Sequence, residues 1–175
     1  MSRSGYSDDC EDQWAMIRWR GAVNSAIKGR RGQQALCEIL AALDSLPEKR
    51  LASESLVTAD GDFCTLGALG KARGIDLEPI DPEDRDAVAR AFGISEALAA
   101  EIMYQNDEYI DEWEWVTVDI CGPVRPNYPD WGRQYKNVSV PVRNAAERRW
   151  NHMRAWVERH IATPAAGTTT QQQEG

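Results

Sequence analysis

The chain has 175 residues, with 28 Asp and Glu against 20 Lys and Arg and a formal net charge of −8. A hydrophobic content of 42% at this length is typical of one globular domain and excludes collagen-like, fibrous and wholly disordered proteins. The acidic balance disfavours a protein that coats nucleic acid, because such proteins need basic surfaces.

Two further features predict a soluble, cytoplasmic protein. No run of about 18 apolar residues is available for a membrane span, and the first residues lack the apolar stretch of a signal peptide. The four cysteines are widely separated and form no CxxC pair. In a reducing compartment this spacing predicts free thiols rather than disulfides or a zinc site.

The first two predicted elements form a helical hairpin. Apolar residues recur at three- and four-residue steps from about Asp12 to Lys28, and Gly29 ends this pattern. A second apolar stripe follows at once. It ends at Leu46-Pro47, because the residue before a proline is pushed out of the helical region.

The next segment changes to a β pattern. Residues 56–65 contain an Asp60-Gly61 pair between two β-leaning runs, which predicts a β-hairpin. Residues 66–73 then predict a short helix that ends at Gly74.

Capping residues predict two more helices. Asp81 followed by Pro82 is a helix start, and that helix is expected to run from Pro82 to Phe92. Ser95 can cap the following helix, which fades near Asn106-Asp107.

The remaining chain is predicted to be loop-rich and then helical. Residues 108–142 contain four prolines and only one short predicted strand, at 115–118. Asn144 and Glu147 make a capping pair for a last helix with an apolar stripe that reaches Ile161. A polar low-complexity segment follows.

Together these elements predict a single compact α+β domain that is mainly helical, with five or six helices and a small β-hairpin. The domain is expected to span residues 12–162. A flexible N-terminus over 1–11 precedes it, and a disordered tail over 163–175 follows it.

The charges are strongly polarised along the chain. Residues 13–31 carry five bases and no acids, residues 75–121 sum to −12, and residues 122–163 sum to +5. In one interpretation the basic outer helices lie against the acidic middle. In the other, the acids stay exposed as a negative strip that binds a basic groove on a partner protein, including a groove that normally holds nucleic acid.

The proposed strip interleaves acids with aromatic residues, a combination that suits a protein interface and suits a core equally well. Its predicted partner-binding residues are Tyr104, Asp107, Glu108, Tyr109, Asp111, Glu112, Trp113, Glu114 and Asp119, with Trp115 among them in sequence.

Residues 86–98 have the spacing of a DNA-binding helix-turn-helix around Gly93. A recognition helix needs Arg, Lys, Asn or Gln toward the bases, whereas this one would begin with Glu96 and continue with alanine and leucine. Sequence-specific DNA binding is therefore not predicted.

Cys64 is the one candidate catalytic residue. It lies where a β-leaning run meets a helix, and a helix N-terminus can activate a thiol. Only His152 and His160 are available as a base, so a weak cysteine hydrolase is an alternative function rather than the leading one. The scattered Cys and His residues predict no metal site, and no cofactor is expected.

A second alternative is a protein that sequesters an anionic signalling nucleotide. Arg18, Arg20, Arg30 and Arg31 could bind phosphate if they converge on one pocket. The Gly29–Gly32 segment lacks the length and the lysine of a P-loop, so its spacing favours a helix-helix turn over a phosphate-binding loop.

Residues 60–69, with Cys64 and a Gly-Ala-Leu run, and residues 101–107, which end in Asn106-Asp107, resemble a group of small uncharacterised proteins encoded by phages and prophages. Residues 147–157 are similar to the ends of such proteins. The resemblance implies a phage accessory protein in the host cytoplasm that binds and inhibits a host protein, such as a component of CRISPR-type immunity. It assigns no functional residues and does not favour an enzyme.

Overall fold

Six helices and one two-stranded antiparallel hairpin make up the part of the chain that the structure, a computed structural model, describes: residues 3–5, 13–119 and 135–162. The predicted fold class, mainly helical α+β, is confirmed. The helices are α1 (Gln13–Lys28), α2 (Arg30–Ser45), α3 (Thr65–Arg73), α4 (Arg85–Phe92), α5 (Glu96–Asp107) and α6 (Ala145–His160). The strands are β1 (Trp113–Asp119) and β2 (Tyr135–Pro141).

The core is formed where α2 packs on α3 and α6, and where α5 packs on α1, α3 and α4. Leu36 and Ile39 of α2, Ile102 of α5 and Val157 of α6 are fully buried, as the apolar stripes predicted. Burial of one such side chain contributes about 1.5–3 kcal/mol to the free energy of unfolding. The hydrophobic contacts of these helices therefore hold the fold together.

The helix ends follow local capping chemistry. Ser95 begins α5 as predicted, since its hydroxyl accepts a hydrogen bond from the Leu98 amide. The predicted start of α4 is one turn early. Asp84 caps α4 by accepting from the Ala87 amide, whereas Asp81 accepts from the Glu83 amide in a turn that precedes the helix.

The capping pair predicted for α6 is wrong. Asn144 has a φ of 55°, in the left-handed region, and its side chain makes no capping hydrogen bond. The loop before α6 is instead joined to the hairpin, because the Val142 amide donates to the Glu112 carbonyl at 2.8 Å. The helix itself forms over the predicted range.

The structure has a minimal antiparallel pairing where the sequence predicted a hairpin, and a larger hairpin that the sequence did not predict. Around Asp60-Gly61 the chain pairs through one β-bridge, Val57 with Phe63, and the Thr58 amide donates to the Asp62 carbonyl at 2.8 Å; this pairing is too short to form strands. The larger hairpin, called the hairpin below, is made by β1 and β2, which pair from Trp113 opposite Pro141 to Asp119 opposite Tyr135. Within the described residues the two strands pack mainly on each other, so the hairpin projects from the helical body.

The chain ends are described only in part. Arg3 and Ser4 are buried against the helical body, so the flexible N-terminus predicted over 1–11 is wrong for these two residues. The predicted disordered tail at 163–175 lies outside the described residues. Among the helices that the structure describes, none is both long and apolar enough to cross a membrane.

Candidate functional site: an acidic-aromatic surface on the hairpin

The strand register places three aromatic residues on one face of the hairpin. Trp113 and Trp115 are two residues apart in β1, and Tyr135 lies opposite Asp119. Side chains alternate between the two faces of a strand, so the three aromatic residues and Asp119 belong to the same face. The opposite face carries half-buried valines: Val116, Val118, Val138 and Val140.

The aromatic face is open to solvent. Trp115 is 75% exposed, and Trp113 and Tyr135 are 60% and 61% exposed. Soluble proteins rarely leave neighbouring large apolar side chains exposed unless these side chains bind something. The aromatic face of the hairpin is thus exposed, whereas the valines of the opposite face are half-buried.

A groove of about 390 Å³ opens at the base of this face. Glu112 and Trp113 line its hairpin side, and Asp60 and Asp62 line it from the turn between Thr58 and Phe63. Asp62 is already paired with Arg50 and Glu112 with Arg149, so among the described residues Asp60 is the lining acid without an ion pair. An exposed carboxylate in a groove with an indole ring suits a cationic side chain, which gains both ion pairing and a cation–π contact. We define the acidic-aromatic surface as this groove and face together: Asp60, Asp62, Glu112, Trp113, Trp115, Asp119 and Tyr135.

Arg149 of α6 fixes the base of the hairpin. Its Nη2 donates to Glu112 Oε1 at 2.9 Å, its Nε to the Asn106 carbonyl at 2.8 Å and its Nη1 to the Leu51 carbonyl at 2.8 Å. Ser53 also donates to Glu112. A buried guanidinium is stable only when its donors are satisfied in this way. The groove is therefore built on a rigid support.

Asn106 extends this support to α3. Its Oδ1 accepts from the Thr65 amide at 3.1 Å and from the Thr65 hydroxyl at 2.8 Å, and its Nδ2 donates to the Ala52 carbonyl at 2.9 Å. One buried side-chain amide thus joins the end of α5, the start of α3 and the loop beside the groove. Asn106 has a positioning role in the fold.

The predicted acidic strip is exposed only in part. Asp111, Glu114 and Asp119 are exposed, although Glu114 lies on the valine face. Glu108 is exposed and accepts a hydrogen bond from Ser4. The prediction that Asp107 is exposed is wrong, because its side chain is 6% exposed and is paired with Arg3. Asp107 cannot face a partner in this arrangement.

The two predicted tyrosines lie apart from the hairpin. Tyr104 is half-buried in α5. Tyr109 is exposed and stacks on His152, with ring centroids 3.7 Å apart. Burial, with a smaller contribution from Arg159, lowers the pKa of His152 below its ordinary value of 6.5. A neutral imidazole also suits its 2.9 Å hydrogen bond with Gln105.

The structure does not bring the four candidate phosphate-binding arginines together. Arg18 and Arg20 are two positions apart on α1, so they lie on different sides of that helix. Arg30 and Arg31 begin α2, about 12–15 Å further along the axis of α1. The pocket required for a signalling nucleotide is not formed by this set.

The Cys64 thiol lies at the start of α3, as predicted, but is 1% exposed. Its sulfur accepts from the Gly67 amide at 3.4 Å. Neither histidine contacts it, since His152 bonds to Gln105 and His160 bonds to the Trp156 carbonyl at 2.7 Å. A hydrolytic pair with Cys64 is therefore not assembled. Over the described ranges no three His, Cys, Asp or Glu side chains are grouped to hold a metal ion.

Sequence reasoning missed three residues of the surface. Tyr135 joins the aromatic face only through the register of β1 and β2, which spans a separation of 16 to 28 residues along the chain. Asp60 and Asp62 lie in the segment for which the sequence predicts a hairpin turn, and acids beside a glycine are common in such turns, so no local signal indicates their place in the groove.

Family models, curated proteins and solved structures were compared with the chain. No family model, curated protein or solved structure matches.

Proposed function

We propose that this protein is a phage-encoded accessory protein that binds and inhibits a host protein through the acidic-aromatic surface. The proposed target is a component of bacterial immunity, such as a CRISPR-type effector. The phage origin rests on the resemblance of residues 60–69, 101–107 and 147–157 to phage and prophage proteins. The binding role rests on the chemistry of the surface.

The observation that carries the binding role is the outward aromatic face of the hairpin. Trp113, Trp115 and Tyr135 are all at least 60% exposed and lie on one face. Tryptophan and tyrosine dominate the binding energy of protein interfaces, because they bury a large area at a low cost in side-chain entropy. A partner that covers these rings would gain more binding free energy than a partner that covers an equal area of polar surface.

The acids around the rings determine the chemistry of the partner. Asp60 lines the groove together with Asp62 and Glu112, which are paired with Arg50 and Arg149 of this chain, and Asp119 lies at the far end of the aromatic face. Opposite charge accelerates association and excludes partners of like charge. The partner expected here is a protein with a basic groove, with an arginine or lysine that enters beside Trp113.

This chemistry accounts for inhibition without a catalytic step. A basic groove that normally holds nucleic acid would be occupied by a rigid hairpin that carries carboxylates and aromatic rings. Nucleic acid and this protein would then compete for one site. The proposed mechanism is therefore competitive occlusion.

The experiment begins with affinity capture. The tagged protein is used to capture proteins from host lysate at low and at high salt, and bound proteins are identified by mass spectrometry. The identified target is then purified, and its affinity is measured for the wild type, for Trp115→Ser and for Trp14→Ser. Trp14 is the matched control, since it is 71% exposed on α1, away from the hairpin.

We expect Trp115→Ser to weaken binding by at least about 30-fold, which corresponds to a hot-spot loss of about 2 kcal/mol. Trp14→Ser should bind as the wild type does, and the target's own nucleic acid should displace the protein. Equal losses for both variants, or a ternary complex with nucleic acid, would contradict the proposal.

A further inference from the structure

The N-terminal residues that the structure describes, 3–5, form a short segment that covers the junction of α3 and α5. Arg3 is the deepest of the three, with a side chain that is 4% exposed. Its Nη2 donates to Asp107 Oδ1 at 3.0 Å, and its Nε donates to Asp107 Oδ2. The pair is a two-point guanidinium–carboxylate contact, the geometry that makes arginine specific for carboxylates.

Ser4 and Gly5 are recognised by different features. The Ser4 hydroxyl donates to Glu108, and its carbonyl accepts from Arg85 Nη1 at 3.1 Å. Gly5 has a φ of +71°, and a Cβ at this position would lie 2.3 Å from Arg85 Nη1. The contacts of the helical body thus match the residue types of this segment: a guanidinium at Arg3, a hydroxyl at Ser4 and a positive φ at Gly5.

The carboxylate that pairs with Arg3 is also held by two donors of the helical body. Asp107 Oδ1 also accepts from the Glu54 amide at 3.1 Å and from Asn106 Nδ2 at 2.8 Å. These donors orient the carboxylate without neutralising it. A buried carboxylate held in this way requires a cation.

Cys64 approaches the same guanidinium from the start of α3: the amide of the next residue, Thr65, donates to Asn106, whose side chain in turn donates to Asp107. Burial alone would lower the pKa of Arg3, but the neighbouring Cys64 and Asp107 outweigh burial and raise it. The Nη1 nitrogen of Arg3 is buried and has no hydrogen-bond partner within the described residues. Two of the guanidinium nitrogens are thus used on Asp107, and the third is not used on any described polar group.

We propose that Asp107, which the Glu54 amide orients, and Cys64 form a guanidinium-binding pocket, and that Arg3 is a displaceable intramolecular ligand that closes this pocket over the Cys64 thiol. The ligand class is an arginine side chain or a small guanidinium cation. Displacement is feasible because Arg3 and Ser4 are not part of the hydrophobic core. Their described contacts with the body are ion pairs and hydrogen bonds, which water or another guanidinium can replace.

The test measures access to the thiol. Cys10, Cys37 and Cys121 are replaced by serine in the full-length chain, so that a disulfide reagent reports on Cys64 alone. In this background the native chain should react slowly, because reaction must await local opening. Arg3→Ala should react at least about tenfold faster, while near-ultraviolet circular dichroism remains that of the native fold. Arg90→Ala is the matched control, because it removes an arginine from an exposed ion pair on α4.

Chemical rescue distinguishes a guanidinium pocket from a general loss of stability. Methylguanidinium added to Arg3→Ala should slow the reaction of Cys64 toward the native rate, and methylammonium at equal concentration should not. Gly5→Ala is a second variant that leaves Arg3 and Asp107 intact but puts an alanine at a φ of +71°, a backbone conformation that L side chains rarely adopt, and it should also accelerate the reaction. It keeps the test valid if Arg3→Ala does not fold.

Faster reaction with selective rescue supports the proposal, as does acceleration by Gly5→Ala in a folded protein. Reaction rates equal to those of Arg90→Ala would overturn it. Equal rescue by both cations would also overturn it, because ionic screening and not guanidinium recognition would then protect the thiol.

Discussion

Arg149 donates to Glu112 at 2.9 Å and thereby joins α6 to the residue that precedes β1. Arg149 is 2% exposed, whereas the Glu112 side chain is 49% exposed, so the pair links the interior to the groove. This one contact couples the stability of the helical body to the position of the proposed binding surface.

Arg149→Met should destabilise the protein strongly. The Leu51 and Asn106 carbonyls would lose their buried donor, and the expected loss is about 3 kcal/mol in the free energy of unfolding. Urea denaturation measures this loss. Arg148→Met is the matched control because Arg148 is exposed, and its effect should stay within about 0.5 kcal/mol. Similar losses for the two variants would mean that the buried hydrogen bonds are not the cause.

Reversal of exposed acids should slow binding without an effect on the fold. Asp60→Lys and Asp119→Lys on the acidic-aromatic surface, together with Asp111→Lys just before β1, replace negative charge, and association with a basic target should slow by about tenfold or more at low salt. Stopped-flow or surface-based kinetics give the rate constant. The control variant replaces Asp76, Glu78 and Glu83 with lysine. These residues are exposed outside the acidic-aromatic surface, and their replacement changes the net charge by the same amount. An equal effect of both triples would assign the attraction to net charge alone.

Two glycine-to-alanine substitutions should have opposite effects on stability. A Cβ at Gly67 would lie 1.8 Å from the Leu56 carbonyl oxygen, so Gly67→Ala must push α3 away from the turn and should cost about 2–3 kcal/mol. A Cβ at Gly21 meets no atom within 4 Å, and Gly21→Ala in α1 should stabilise by about 0.5–1 kcal/mol. Thermal and urea unfolding of both variants check the two signs. A stable Gly67→Ala variant would show that α3 can shift at little cost.

Stability should depend on pH through His152. Its pKa is lowered in the folded state, so the unfolded chain binds more protons near pH 6. This contribution to stability is present above pH 6.5 and is lost as the pH falls through 6.5 toward the lower folded pKa. Urea denaturation of the wild type and His152→Gln between pH 5.5 and 7.5 isolates the effect. The difference between the two proteins should shrink as the pH falls, and a constant difference would contradict the assignment.

The helical part of the fold was predictable because its signals are local. Met153 and Val157 face the core at helical spacing, and Ser95 caps α5 where its sequence context indicated. Such patterns are set by contacts three or four residues apart. The error at Asp81 was also local, since Asp84 offers the same capping chemistry one turn later.

The hairpin and the buried polar groups were not predictable in the same way. The pairing of Trp113 with Pro141 spans 28 residues, and neither strand has enough local preference to indicate its partner. Arg149 lies four residues before Met153, on the apolar face of α6, but its charge is typical of an exposed residue. Its burial depends on the Leu51 and Asn106 carbonyls, which only the tertiary structure brings within reach.

The separation of the hairpin from the core has an evolutionary consequence. None of the residues of β1 and β2 belongs to the buried hydrophobic core, so the outward side chains of these strands can change while the helices remain stably packed. A protein that must follow a changing target benefits from such independence, because selection for recognition does not conflict with selection for folding. We therefore expect variants with new residues at 113, 115 and 135 to fold as well as this chain does, and the hairpin to be a suitable site for directed evolution of new binding specificities.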